Sequence, residues 1–559
     1  MYRGYVSLMP GASKHSGEDA REQGGKKLIR TIVKREFLDN LLSFKFIACV
    51  VVAIVISLTS TAILTRDYQD RMRNYDKGVA SAKEALTKIP VYSALKVRLF
   101  RKPSPQSIYV AGIERKAGNY AEISALSLDI PASLQGGVAK NEFAAVFSLF
   151  DFSAVIIIVF TVLAIMLSYG SISGEKEDGV LSLALSNSVP RAKILLGKYL
   201  GALLSIAVPL ALCFILSILL VLFSKAASLD ANFFMFIGLL YVASLLYLSC
   251  ILLLGILASS RTKTSFGSLL FLLTFYLVFT FFIPQAVKSA SSNAIRSRAK
   301  NLETNIQALL NERYGGGGRS SPKINFKETW MIPRDGDNMM LYGGIILKRI
   351  TSPEFLENQN LVTASQMHRE SEYAQKVYDL KIKDMAVEEK IQSVQNSVLA
   401  FVPSASLGRI AEVAADSGDE SLKRYLRQVR LYWHQLMDYL DAKGAYGTRF
   451  GYPGPDEQTP YEKALIKKIT EDCSGWMQTK PPSTFHFYRG KYYAEAMAYK
   501  PALTFLDLRD LPALKTPEPE FAARVRPSLF NVGILVFYNI LFFVLAYFSF
   551  ASYDPRRID

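Results

Sequence analysis

Residues 194–223 read ILLGKYLGALLSIAVPLALCFILSILLVLF. A run this long and this apolar exceeds the roughly 20 residues an α-helix needs to cross about 30 Å of hydrocarbon. It reads as a membrane-crossing helix with room for a tilt or an interfacial extension. Pro209 sits in its middle, which a helix in a membrane tolerates because neighbouring helices re-satisfy the carbonyl that proline frees. Five similar runs flank it: Phe46–Leu64 and Phe152–Tyr169 before, and Phe233–Ala258, Phe266–Pro284 and Leu529–Ser552 after. The expected fold is an all-α polytopic membrane protein with six transmembrane helices. A large α-rich exposed domain is expected between the fifth and sixth.

Outside these runs the chain is basic, with a formal charge of +16 over 559 residues. With so much apolar sequence beside it, that charge suits anionic lipid headgroups better than nucleic acid. Cys49, Cys213 and Cys250 lie inside apolar runs and only Cys473 in a polar segment, so no disulfide framework is expected. The scattered His15, His368, His434 and His486 have no metal-ligand spacing. The first apolar run begins too deep in the chain for a cleaved signal peptide and reads as a signal anchor.

Orientation follows from the short flanks. Lys26, Lys27, Arg30, Lys34, Arg35 and Lys45 precede the first span. Arg191, Lys193 and Lys198 lie between the second and third, Arg261 and Lys263 between the fourth and fifth, and Arg556 and Arg557 after the sixth. Six spans put all of these on one side, which the positive-inside rule makes cytoplasmic, with both termini. The chain then divides into a disordered cytoplasmic N-terminus (1–27), an interfacial amphipathic helix (28–45), spans at 46–64, 152–170, 194–223, 233–258, 266–284 and 529–552, a cytoplasmic coupling segment (171–193), extracytoplasmic segments at 65–151 and 285–528, and a cytoplasmic tail (553–559). In the 28–45 helix Leu28, Ile29, Ile32, Val33, Phe37 and Leu41 recur near helical spacing, with Arg30, Lys34, Arg35 and Asp39 on other faces, the pattern of a helix lying in the membrane surface.

The larger exposed segment carries three helical stripes: Ile295, Leu302, Ile306 and Leu309; Tyr373, Val377, Leu380, Val387, Ile391, Val394 and Val398; and Leu422, Leu426, Val429, Trp433, Leu436 and Leu440. Such stripes predict helices packed on helices in a hairpin or small bundle. Gly315–Gly318, in GGGGRSSPK, lacks the Gly-Lys-Ser/Thr of a phosphate loop and reads as a connector. The stretch 445–490 has no clear period. The smaller segment begins helix-like over 67–88, with strand expected around Ile108–Gly112.

The most informative stretch is SISGEKEDGVLSLALSNSVPRAKILLGKYLG, residues 171–201. Glu175, Lys176, Glu177 and Asp178 place charges at a membrane boundary, where they are far cheaper than inside. Val180, Leu181, Leu183 and Leu185 then make a short amphipathic piece, Asn187–Pro190 turns the chain, and Ala192 begins the re-entry. A surface helix held at both ends by spans can pass force between a soluble partner and the bundle.

Residues 174–201 resemble the cytoplasmic hallmark of the ABC-2 type exporter permeases, in which an acidic run, a Gly, an amphipathic helix, a Pro-Arg-like turn and a Leu-Gly-Lys re-entry recur. The resemblance maps a coupling helix onto Gly174–Ser186, with Gly174, Glu175, Lys176, Glu177, Asp178 and Gly179 at its core, and makes Arg35 and Glu36 the basic-acidic pair of the N-terminal interfacial helix. Pro103-Ser104-Pro105, Gly112, Phe282-Ile283-Pro284 and Tyr553-Asp554-Pro555-Arg556 are similar to the gliding-motility-type branch, whose exposed loop is large.

The resemblance implies an exporter half in the bacterial inner membrane that couples rather than catalyses. The chain has no Walker A loop and no Ser-Gly-Gly signature, so the ATPase, with its ATP and Mg, is expected on another polypeptide. A second permease copy or paralogue would complete a dimer. A further protein partner is expected at 285–528. No ionisable residue is expected inside the spans, whose few polar residues include Ser205, Ser217, Ser244, Ser249, Thr274 and Asn539. That favours a lipidic, amphiphilic or peptide-like substrate over a small ion. The alternative is a non-transporting scaffold linking an ATPase to an envelope or motility machine. No paired carboxylates in a span, His-Glu-x-x-His or Ser-His-Asp set supports an enzyme.

Overall fold

The computed structural model describes residues 29–89, 91–114, 117–125, 130, 131, 133–136, 151–179, 181, 190–226, 230–315, 353–446, 505–517 and 519–553. Among these, six helices are long and apolar enough to cross a membrane. Helix α1 covers residues 29–41; α2 is Phe44–Leu86. Helix α3 runs from Phe152–Val155 through a π turn, Ile156–Phe160, into Thr161–Ser168. The short α4 is Ser173–Glu177, and α5 and α6 are Arg191–Ser224 and Ala231–Arg261. Helix α7 passes from Ser265–Leu277 through a π turn, Val278–Phe282, into Ile283–Gly315. After it come α8 (Pro353–Ala400), α9 (Pro403–Ala414), α10 (Asp419–Ala442), the short α11 (Phe521–Val525) and α12 (Leu529–Ala551). All six expected spans lie on α2, α3, α5, α6, α7 and α12, and the fold is that of a multi-pass helical membrane protein.

Local chemistry sets the helix starts. The side chains of Asp151, Asp230 and Thr264 accept from the backbone N–H groups of Ala154, Phe233 and Gly267 at the first turns of α3, α6 and α7, satisfying donors that a helix start otherwise leaves open. Helix α6 is the hub. It packs against α3, α5, α7, α9 and α12 and is the most enclosed of the six spans. Helices α7 and α12 show broad apolar faces outward, including Phe266, Phe282, Phe530, Phe537 and Phe548, as expected of surfaces covered by lipid or a partner helix. We call the end of the bundle carrying α1, α4 and the start of α5 the near end, and the other the far end.

Two helices run well past their apolar runs: α2 from its span to Leu86 and α7 from its span to Gly315. The fifth span was expected to stop at Pro284. Proline has no N–H to donate within a helix, and the π turn over Val278–Phe282 sits immediately before it, so the wider turn absorbs the missing bond and the helix continues.

The far-end domain joins both exposed segments. Strands β1 (Lys96–Phe100) and β2 (Tyr120–Ser124) pair antiparallel, Val97 opposite Ile123 and Leu99 opposite Ala121. Those four side chains are buried in one core with Val429, Trp433, Leu436 and Leu440 of α10. This extends one expectation: the α10 stripe covers a two-stranded sheet as well as a helix, since Met367 and Tyr378 of α8 share that core. Helices α7 and α8 do pack as a hairpin, with Ile295, Leu302, Ile306 and Leu309 as the half-buried face of α7. The α8 stripe fails at its end, where Val394 and Val398 are exposed. Ile108–Gly112 is not strand; a 3₁₀ turn over Pro105–Ile108 leads into irregular chain. Its Gly112 lies at φ 51° with Ser417 so close that a Cβ would sit 2.2 Å from the Ser417 carbonyl oxygen. Ser104 Oγ donates to the Ala415 carbonyl at 2.8 Å. The Pro103–Pro105 and Gly112 elements thus clamp the first segment onto the α9–α10 corner.

Candidate coupling site

The near-end site begins with small residues on α5. Gly197, Gly201 and Ser205, one turn apart, face Ile32, Glu36 and Asn40 of α1, also one turn apart. A Cβ on Gly197 would lie 2.7 Å from Ile32 Cγ2, and one on Gly201 would lie 2.6 Å from Glu36 Cβ. Asn40 Nδ2 donates to Ser205 Oγ at 3.2 Å. Only the missing side chains allow α1 to lie this close along α5.

Within that contact Lys198 Nζ donates to Glu36 Oε1 at 2.8 Å and to Glu175 Oε1 at 2.7 Å. Its side chain is 8% exposed, against 28% and 33% for the two carboxylates. From the sequence Lys198 reads as a flanking charge, and the spans read as free of ionisable residues. Instead it lies on the apolar run of α5 and is the point where α1, α4 and α5 meet. A buried ammonium is tolerable only when paired and hydrogen-bonded, and two carboxylates from two other helices meet that demand.

The remaining predicted residues divide by direction. Glu177 accepts from Ser265 N at 3.2 Å and Ser265 Oγ at 2.6 Å, placing a negative charge at the N-terminus of α7, where the helix dipole favours it. Lys176 Nζ donates to the carbonyls of Ser259, Ser260 and Thr262, the matching arrangement at the C-terminus of α6. It also lies 4.9 Å from the centre of the Tyr553 ring. Asp178 and Gly179 close α4; Gly179, at φ 71°, takes the left-handed conformation common just past a helix end. Both face solvent, as does Arg35, whose side chain is 82% exposed beside Asp39. Gly174 meets nothing closer than 3.5 Å where a Cβ would stand, so its identity has no steric cause here.

Two anchors were not singled out from the sequence. Ser259 Oγ accepts from Ile172 N at 2.9 Å and Ser173 N at 2.8 Å. Arg191 NH1 donates to the carbonyls of Phe550, Ala551 and Tyr553 at 3.2, 2.7 and 2.7 Å, capping the C-terminus of α12. Arg191 is visible as the Pro-Arg turn, but its target lies in another part of the chain, and a serine just past the end of an apolar run carries no signal. Of the expected coupling helix Gly174–Ser186, α4 and the buried Leu181 are described; Val180 and residues 182–189 lie outside the described residues, as do 1–28, 316–352, 447–504 and 554–559.

A short segment between two spans therefore holds α1 and the ends of α5, α6, α7 and α12 through charged side chains. Residues 30–312, from α1 to the arm of α7, match the family described as ABC-2 family transporter protein. The chain belongs to that family. No curated protein matches it closely enough to be reported as a relative. The ABC-2 match covers five of the six spans and every predicted site residue, while α8 to α12 lie beyond it. As an ABC-2 transporter the chain is a membrane subunit, and membership implies an ABC ATPase partner and usually a dimer.

Proposed function

We infer that this chain is the permease subunit of an ATP-driven exporter and that its near end is the face the ATPase grips. The shared ion cluster carries this reading: Glu36 of α1 and Glu175 of α4 both bind Lys198, so a push on either surface helix reaches α5. From α4, Lys176 and Glu177 carry it to α6 and α7, and Arg191 ties the start of α5 to the end of α12. Arg35, Asp178 and Gly179, which face outward, supply the contact with the partner; ATP and Mg belong to that partner. The basic flanks make the near end cytoplasmic and the α8–α10 domain extracytoplasmic, in the cytoplasmic membrane.

The substrate we propose is lipidic, amphiphilic or peptide-like. Inside the bundle Ser205, Ser244 and Asn539 bond to helix carbonyls, Thr61 donates to Ser217, and Ser249 bonds Tyr199 and Asn539. Ser205 and Ser244 are thus taken up within their own helices and Ser217, Ser249 and Asn539 between helices, which occupies the groups a small polar solute would need. The test is purification from native membranes in mild detergent, with ATP hydrolysis measured on the eluate. A co-purifying ATPase subunit supports the reading, and its absence under conditions that keep the chain folded removes it.

A further inference from the structure

The junction between α8 and α9 carries apolar side chains that the described residues leave largely exposed. Val394, Val398 and Phe401 follow one another at helical spacing and are 63%, 46% and 57% exposed. From Ile391 to Gly408 the sequence contains no Asp, Glu, Lys or Arg. The depth of this junction is fixed by α12. That helix has 23 residues, about 35 Å of rise against about 30 Å of hydrocarbon, so its first turn lies near the far membrane surface. Tyr538, well inside that span, donates its hydroxyl to the Phe401 carbonyl at 2.9 Å. Tyr538 stands nine positions beyond Leu529, about 13 Å along the axis, and a helical side chain leans back by roughly a turn. The Phe401 carbonyl therefore sits below the start of α12, at a depth where hydrocarbon surrounds the protein. The Phe401 ring stands edge-on to Phe530, 6.4 Å between centres, and Asn531 Nδ2 donates to Ser406 Oγ at 3.2 Å. Leu529, Phe530 and Phe537 of α12 are themselves more than half exposed, so the α8 stripe continues a surface that already faces lipid.

We propose that Val394, Val398 and Phe401 form a wedge immersed in the bilayer leaflet at the far end, so that the base of the long α7–α8 arm is held by acyl chains as well as by protein. The occupant is lipid, because the stripe is continuous with the lipid-facing side of α12 and its chain is uncharged over the length that reaches this depth. Polar groups on the same turns need not oppose this; Ser397 Oγ, for example, donates to the Ser393 carbonyl at 2.9 Å, as a hydroxyl surrounded by hydrocarbon must.

The experiment uses the full chain in phospholipid nanodiscs, with Cys49, Cys213, Cys250 and Cys473 replaced by alanine and a spin label placed through Val394→Cys, Val398→Cys or Phe401→Cys in turn. Collision with oxygen, which concentrates in acyl chains, is compared with collision with a water-soluble nickel chelate; Phe537→Cys serves as the lipid reference and Glu389→Cys as the water reference. Oxygen prevailing at Val398 and Phe401, increasingly from Val394 inward, supports the wedge. Nickel prevailing at either Val398 or Phe401 puts the stripe in water and overturns it. A label shielded from both puts a protein surface there, a second copy included, and overturns it equally. Should the cysteine-free chain not fold, Val398→Trp in the native chain gives the same answer: the added emission is quenched by acyl-brominated lipid if the wedge is immersed, and by acrylamide if it is not.

Discussion

Glu36 on α1 and Glu175 on α4 bind the same ammonium, that of Lys198, at 2.8 and 2.7 Å. Two helices that a partner can touch from outside are thereby joined to one span through a single side chain. The geometry is a fork rather than a chain, so a displacement of either helix changes the fit of the other.

Lys198→Met leaves two carboxylates facing one another without their cation. Removing one partner of a buried ion pair costs about 3–5 kcal/mol, and less is expected here because both carboxylates keep part of their surface in water. The expected outcome is a clear drop in melting temperature in detergent. Adding Glu36→Gln and Glu175→Gln to Lys198→Met should recover more than half of the loss. A triple variant no more stable than Lys198→Met would mean that charge balance is not what the lysine supplies.

The Gly201 contact gives a steric prediction. Its Cβ would come within 2.6 Å of the Glu36 Cβ, so Gly201→Leu should lift α1 off α5. With Asn40→Cys and Ser205→Cys as reporters, oxidation should form an intrachain disulfide readily in the parent and weakly in the Gly201→Leu background. Equal yields would mean that α1 does not depend on the glycine groove.

How much of this was legible beforehand differs by kind of signal. Hydropathy places the spans because each is a local run; even Pro209 and the π turn before Pro284 leave that signal intact. Glu36, Glu175 and Lys198 all lie in the stretches that carry the family resemblance, but their pairing is not legible there, because they stand on three different helices and no spacing links them. The stripe of Val429, Trp433, Leu436 and Leu440 identified a buried face correctly, yet it could not say what the face covers. The answer is Val97, Leu99, Ala121 and Ile123, on two short strands far away in sequence, together with Met367 and Tyr378 of α8. Val394 and Val398 look like core by spacing alone, since periodicity reports an apolar face and not whether protein or lipid meets it.

Arg191 is expected to hold the end of α12. Hydrogen bonds from a charged donor contribute about 1.5–3 kcal/mol, and Arg191 donates to the Phe550, Ala551 and Tyr553 carbonyls. Arg191→Ala should speed amide hydrogen exchange across the last turn of α12 while leaving its first turns unchanged. Unaltered exchange there would remove the link from α5 to α12.

A pH dependence is expected at the far end. Burial pushes the Asp151 carboxyl above its usual range despite its bonds to Ser153, Ala154 and Ala111. Burial likewise raises Glu412, with Asp419 and Asp151 adding to the effect and Arg409 and Lys288 opposing it. A raised carboxyl favours the folded state when protonated, so its contribution is complete below the unfolded value near 4 and is lost as pH climbs through the folded one. The melting temperature should fall as pH rises from about 4 to 8, and Asp151→Asn with Glu412→Gln should flatten that slope. Asparagine caps helices as well as aspartate does, so the start of α3 should survive the change. An unchanged slope would place the titrating groups elsewhere.

The most direct test of the coupling account separates the outward-facing residues from the inward-facing ones. Arg35→Glu with Asp178→Lys alters only exposed charges, whereas Lys198→Met alters the buried fork. In mild detergent the surface double variant should keep the parent's melting temperature and lose the co-purifying ATPase. The Lys198→Met chain, to the extent that it folds, should retain the ATPase but lose the dependence of ATP hydrolysis on the permease. An ATPase that stays bound to the surface variant, and hydrolyses ATP as it does with the parent, would contradict the account.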